Sequence, residues 1–157
     1  MPVAIKFNQL PEYLEKYKGT VIGISSWKLI NQNLINSFAQ ATSDFNFIHT
    51  CPQQAKKTQF GSTIAHGFLT LSLISSFAAG IMPKIKDEHM AINYGFNKVR
   101  FMQPVLEGSN IRAQFTINKY DNRLSNCIFI YYDVIVEIEH RKKPALKASW
   151  IVALNSI

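Results

Sequence analysis

Cysteine is nearly absent from this chain, with only Cys51 and Cys127 among 157 residues. Two thiols cannot form a disulfide framework and are too few for a cysteine-based zinc site. Acidic residues are also scarce: ten Asp plus Glu stand against 17 Lys plus Arg, for a formal charge of +7 and a pI near 9.5. Charged residues make up only 17% of the chain and hydrophobic ones 47%, which excludes a disordered chain and a coiled coil. Seven Gly and six Pro exclude a collagen-like one. The first residues lack the basic start and long apolar run of a secretory signal. The expectation is a soluble, cytoplasmic protein with free thiols, folded as one domain over residues 1–157.

One long stretch, residues 58–83, contains no Lys, Arg, Asp or Glu. An apolar run of about 18 residues can span a membrane. This one is broken by Gly61, Ser62, His66, Gly67, Thr70, Ser72, Ser75 and Ser76 and stops at Pro83, so it reads as a helix buried inside the protein. No membrane partner is expected. The basic residues are scattered, and the one tight cluster, Arg141 to Lys143 ahead of Pro144, reads as a charged turn. With no recognisable nucleic-acid-binding motif, no nucleic acid partner is expected either.

The pattern predicts a short helix over 11–18 ended by Gly19, a strand over 20–29, and a helix from Gln32 capped by Asn31. Residues 43–50 break the helical period and read as loop, and Pro52 suits the first turn of a short helix over 53–57. The long helix is expected over 66–82. Strand-like segments follow at 91–105, 111–117, 124–139 and 146–154, with turns at Glu107-Gly108, Asp121-Asn122 and 140–144. Short turns favour antiparallel pairing. An all-apolar helix needs cover on nearly every side, and a curved antiparallel sheet wrapped around it supplies that.

The chemistry-bearing residues sit just before that helix. Asp44, Asn46 and His49 lie within one short loop. A carboxylate and an imidazole held together can share one water and move its protons; the alternative is that Asp and Asn only form turns there. His66-Gly67 opens the long helix, where free backbone N–H groups favour developing negative charge and glycine admits a close carbonyl. The alternative for Gly67 is tight packing alone.

Taken together, Ala41-Thr42-x-Asp44-x-Asn46-x-Ile48-His49, Phe60-Gly61-x-x-Ile64-Ala65-His66-Gly67-Phe68-Leu69 and Asn93-Tyr94-Gly95-Phe96-Asn97-Lys98-Val99-Arg100-Phe101 with Pro104-Val105 resemble the MaoC-like dehydratases. This is the (R)-specific enoyl-thioester hydratase group, and the nodulation-protein-N-like branch is the most similar part of it. The resemblance implies an α+β hotdog fold, a long central helix wrapped by a curved antiparallel sheet. It implies reversible hydration of a trans-2-enoyl thioester of coenzyme A or acyl carrier protein, without cofactor or metal, by a homodimer. Asp44 and His49 match the water-holding catalytic pair; Asp44 is favoured as the base in hydration, with the order left open. Asn46 matches a positioning residue and Gly67 the helix start whose N–H binds the thioester carbonyl. Ser75 matches a pocket serine, with packing as its alternative, and His66 belongs to the motif as either support or chemistry. Two positions depart from the pattern: Phe47 stands where proline is common, and Cys51 where aspartate is, which leaves the following short helix poorly capped or supplies a redox-sensitive thiol. A non-catalytic acyl-thioester-binding module and a hotdog thioesterase share this fold and remain as alternative readings.

Overall fold

Period-two alternation in the second half of the chain builds the sheet. In the computed structural model, which describes residues 4–124 and 126–157, Ile128, Ile130, Tyr132, Val134, Val136 and Ile138 of one strand all point inward and are buried. That strand is β7 (Cys127–Ile138), and it lies between β6 (Ser109–Leu124) and β8 (Leu146–Ser156). β5 (His89–Phe101) pairs antiparallel with β8 and forms one edge. At the other side, β2 (Val21–Ile24) and β3 (Lys28–Ile30) both pair antiparallel with β6. β1 (Ala4–Ile5) and β4 (Lys84–Ile85) form a small parallel pair of their own.

Helices fill the inner face of the sheet. α1 (Leu10–Tyr17) buries Leu10 and Leu14, and Gly19 turns the chain at φ +76°. α2 (Gln32–Thr42) is capped as expected: the Asn31 side chain accepts from the Leu34 N–H at 3.0 Å. α5 (Gly67–Ala78) buries Leu69, Thr70, Ile74, Phe77 and Ala78 in the core that Phe115, Ile117, Tyr132 and Trp150 complete from the sheet.

Several expectations are corrected. The 20–29 strand is two strands, because Ser25 to Trp27 leave the ladder while the Ser25 hydroxyl accepts from the Ala113 N–H. The 43–50 segment holds a one-turn helix, α3 (Phe47–Thr50), followed by α4 (Pro52–Ala55). α5 ends at Ala78, short of Pro83, with Gly80 and a turn between. Asp121-Asn122 is not a turn: β6 runs through it to Leu124, and Asp121 instead pairs with Arg123. The 124–139 strand begins at Cys127, and position 125 lies outside the described residues. Nor is the helix covered all round: Phe68, Ser72 and Ser75 stay exposed along one stripe. None of the described helices is long and apolar enough to cross a membrane.

Candidate active site

Asp44 reaches its place because α2 stops abruptly. Ser43 closes that helix in the left-handed region at φ 59°, and Asp44 follows on an exposed bend, its side chain 54% accessible. Asn46 then caps α3, its Oδ1 accepting from the Ile48 N–H at 3.2 Å. That single turn carries His49 inward, where the residue is buried.

The His49 ring is fixed from behind. Its Nδ1 lies 2.7 Å from the Ile64 carbonyl oxygen, and a carbonyl only accepts, so Nδ1 carries the hydrogen. In the neutral ring the lone pair is therefore on Nε2. The backbone is fastened at the same place: the Ile64 N–H donates to the Ile48 carbonyl at 3.0 Å. Gln32, the first residue of α2, adds a clamp. Its Nε2 donates to the His49 carbonyl at 2.7 Å, and its Oε1 accepts from the Thr63 hydroxyl at 2.5 Å.

His66 joins the two predicted catalytic residues. Its ring stacks on His49 with centroids 3.8 Å apart and 27° between planes. Its Nε2 donates to the Asp44 carbonyl at 3.0 Å and lies 4.0 Å from the Asp44 carboxylate. Its Nδ1 is buried with no hydrogen-bond partner among the described residues. Asp44, His49 and His66 each place one ligand-type atom within 4.8 Å of the others, so this is also the group that could hold a metal ion. Burial holds the His49 pKa below the ordinary 6.5, and the nearby His66 pushes the same way, against the Ile64 hydrogen bond and the Asp44 charge.

Gly67 is the first residue of α5, and its N–H makes no hydrogen bond among the described residues. His49 and Gly67 line one cleft of about 390 Å³ together with Thr70, Phe101, Met102 and Gln103. A Cβ on Gly67 would stand 3.1 Å from two atoms of the Phe101 ring. Both readings of this glycine thus have a physical basis: it opens the backbone to the cleft and it makes room for Phe101.

Ser75 is brought elsewhere. It lines a separate, mainly apolar cavity of about 290 Å³ between α5 and β5, with Ala78, Met82 and Trp150. There the Asn93 amide donates to Ser75 Oγ at 3.1 Å, and Trp150 Nε1 donates to Asn93 Oδ1 at 3.0 Å. Cys51 is half-buried and free, and makes no side-chain cap for α4. Sequence assigns no site role to Gln32, Thr63 or Gln103, and Phe101 stands in it only as part of the 93–101 motif. Gln32 and Thr63 act through the backbone and through each other across 31 positions, a pairing no local pattern encodes.

Known proteins share this arrangement of chain. The model of the MaoC like domain family matches residues 15–136. Nodulation protein N of Rhizobium leguminosarum bv. viciae is 44% identical over 138 residues, covering 87% of this chain and 86% of that protein. The 3-hydroxyacyl-thioester dehydratase Z of Mycobacterium tuberculosis is 40% identical over 134 residues, covering 85% of this chain and 88% of that protein. Among solved structures, the (R)-hydratase from A. caviae involved in PHA biosynthesis superposes with a TM-score of 0.70 at 22% identity, covering 84% of this chain and 94% of its own, a likeness of fold.

Proposed function

The chain belongs to the MaoC-like domain family, and from that premise we propose that it is a hydro-lyase adding water reversibly to a trans-2-enoyl thioester to give the (R)-3-hydroxyacyl thioester. The observation that carries this reading is the cluster of Asp44, His49 and His66 within 4.8 Å beside a cleft that also exposes the Gly67 backbone. Relatives named as a thioester dehydratase and an (R)-hydratase support the reaction class.

The water sits between the Asp44 carboxylate and His49 Nε2. A neutral His49 with its lone pair on Nε2 is equipped to take a proton, which favours it as the base in hydration, the reverse of the order favoured from sequence. As the water oxygen bonds to the β-carbon, its proton passes to His49 and the π electrons move toward the thioester oxygen. The Gly67 N–H stabilises that enolate oxygen. The imidazolium then returns the proton to the α-carbon on the same face, while the Asp44 carboxylate accepts the water's other O–H and remains ionised. Protons balance over the cycle, and dehydration is the same path reversed. The apolar cavity beside Ser75 is suited to the acyl chain.

A homodimer belongs to this reading. β5 is a 13-residue edge strand, and Met90, Ile92, Tyr94 and Phe101 on it are 50%, 48%, 64% and 50% exposed. A long apolar edge invites strand pairing, and a second copy of β5 covers it. Free Cys51 and Cys127 accord with a cytoplasmic setting.

The test is to incubate the protein with crotonyl-CoA and follow both the enoyl absorbance and free thiol. Loss of absorbance with the thioester intact, and a product of (R) configuration, supports the hydro-lyase. Release of thiol would mean a thioesterase, and binding with neither change a non-catalytic module.

A further inference from the structure

The outer face of the sheet carries a basic track built around Lys98, Arg100 and Lys147. Arg100 of β5 and Lys147 of β8 stand directly opposite each other in the ladder, and Lys98 is two residues along from Arg100. Like charges facing across a ladder are unfavourable. Among the described residues none of the three is in a salt bridge, and Arg100 Nη1 bonds only the carbonyl of its own neighbour Val99. They line a cleft of about 570 Å³ that shares Met102 with the cleft of His49 and Gly67. Through Lys147 and Ile135 it joins a second cleft of about 530 Å³, which adds Trp27, Arg112, Arg141 and Lys142.

Basic side chains outnumber the two acids that line this track, Asp133 and Glu137. Asp133 accepts from the Asn118 amide at 2.7 Å, and Glu137 from Arg112 Nε at 2.7 Å. At the far end the Arg112 guanidinium lies 4.4 Å from the centre of the Trp27 ring, and Trp27 is 39% exposed. An aromatic ring with a planar cation beside it is a platform for a nucleobase.

We propose that this track binds the phosphorylated nucleotide end of the thioester's carrier: phosphates over Lys98, Arg100 and Lys147, and the purine at Trp27 and Arg112. This rests on the reading of the substrate as an acyl thioester, whose reacting end lies in the adjoining cleft. A concave track ending in an aromatic–guanidinium pair suits a nucleotide better than the convex acidic surface of a carrier protein.

The whole protein is titrated with adenosine 3′,5′-bisphosphate, reading tryptophan fluorescence and heat. Trp27 is the reporter, because the other tryptophan, Trp150, is 5% exposed. Saturable binding is expected, weakened at least about tenfold by Arg100→Thr with Lys147→Thr and again by raising salt through 0.1 M, where the Debye length is about 10 Å. Both substitutions are on exposed strand positions and remove a like-charge pair, so thermal stability is expected to hold or rise. In turnover, KM for crotonyl-CoA rises relative to that for crotonyl-pantetheine, which has no nucleotide. Absence of saturable nucleotide binding, binding indifferent to the double variant, or a variant-sensitive affinity shown only by an acyl carrier protein would each overturn the assignment. Hydration without nucleotide binding sinks this inference alone; nucleotide binding without hydration sinks the proposed reaction instead.

Discussion

His49 and His66 stack face to face, ring centroids 3.8 Å apart, and His66 reaches past that stack to donate to the Asp44 carbonyl at 3.0 Å. One buried side chain therefore positions both members of the proposed pair. His66→Phe keeps a ring against His49 but loses the hydrogen bond to the Asp44 carbonyl. The expected result is a fall in kcat of up to about 10²-fold from misplacement of Asp44, with KM nearly constant. The acid limb of the pH–rate profile should move to higher pH, because His66 is one of the groups holding the His49 pKa down. A profile that does not move would assign His66 to packing alone.

The His49 shift has its own sign. Its folded pKa lies below the ordinary 6.5, chiefly through burial, so the neutral base persists below that pH. Activity dependent on neutral His49 should fall only on an acid limb below 6.5. Stability follows the same linkage. Between 6.5 and the lower folded value the unfolded chain binds a proton that the folded one refuses, so stability is lost as pH falls through that window. Melting curves across this window should show that slope for the wild type and a smaller one for His49→Gln.

Asp44→Asn and His49→Gln should each leave the fold intact and reduce kcat/KM by about 10²–10⁴-fold, the usual contribution of a positioned acid or base. Asp44 is exposed on a bend, so its substitution disturbs no core. Near-wild-type kcat/KM in both variants on a good substrate would remove the pair from the mechanism.

Two glycines separate packing from function. A Cβ on Gly23 would stand 2.6 Å from Ile81 Cγ2, so Gly23→Ala should destabilise by about 1–3 kcal/mol, as overpacking does. At roughly 2–4 °C per kcal/mol that is readable in a melting curve. At Gly67 the neighbour is the half-exposed Phe101 ring at 3.1 Å, which has to give only slightly, so Gly67→Ala should cost little stability. Its effect should fall on kcat/KM, because Phe101 lines the same cleft as His49. A large stability loss with unchanged kinetics would make Gly67 a packing residue only.

These sites differ in how far the sequence discloses them. Hydrophobic alternation exposes the β6–β8 meander because each residue's face is decided by its neighbours two positions away, and the Asn31 cap and the α5 start are equally local. The end of α5 is not local. Pro83 marks where a helix cannot continue, yet the helix stops at Ala78 ahead of the turn at Gly80. The proposed pair of Asp44 and His49 is legible as a motif, whereas its support is not: Gln32 reaches the His49 carbonyl across 17 positions, and Trp150 reaches Asn93 across 57. The first contact exists only once α2 and α3 have packed together, the second only once β5 and β8 have paired.

The last prediction concerns the exposed apolar edge. β5 hydrogen-bonds a neighbour on one side only, through its ladder with β8. Tyr94 on it is 64% exposed and Phe68 at the start of α5 is 67% exposed, although both are large and apolar. Each aromatic that passes from water into an interface contributes on the order of 1.5–3 kcal/mol. A second copy supplies both strand partners and apolar cover, so light scattering should give twice the 17.9 kDa chain mass at assay concentration. Phe68→Glu and Tyr94→Lys should each shift the mass toward the single chain and lower activity in proportion. Phe68 stands next to Gly67 and pairs edge-on with Phe101 at 6.1 Å, so an interface here should also shape the cleft of His49 and Gly67. Phe68→Tyr, which keeps the ring, should restore both mass and turnover. A fully active species at 17.9 kDa would separate catalysis from pairing and leave the edge without its partner.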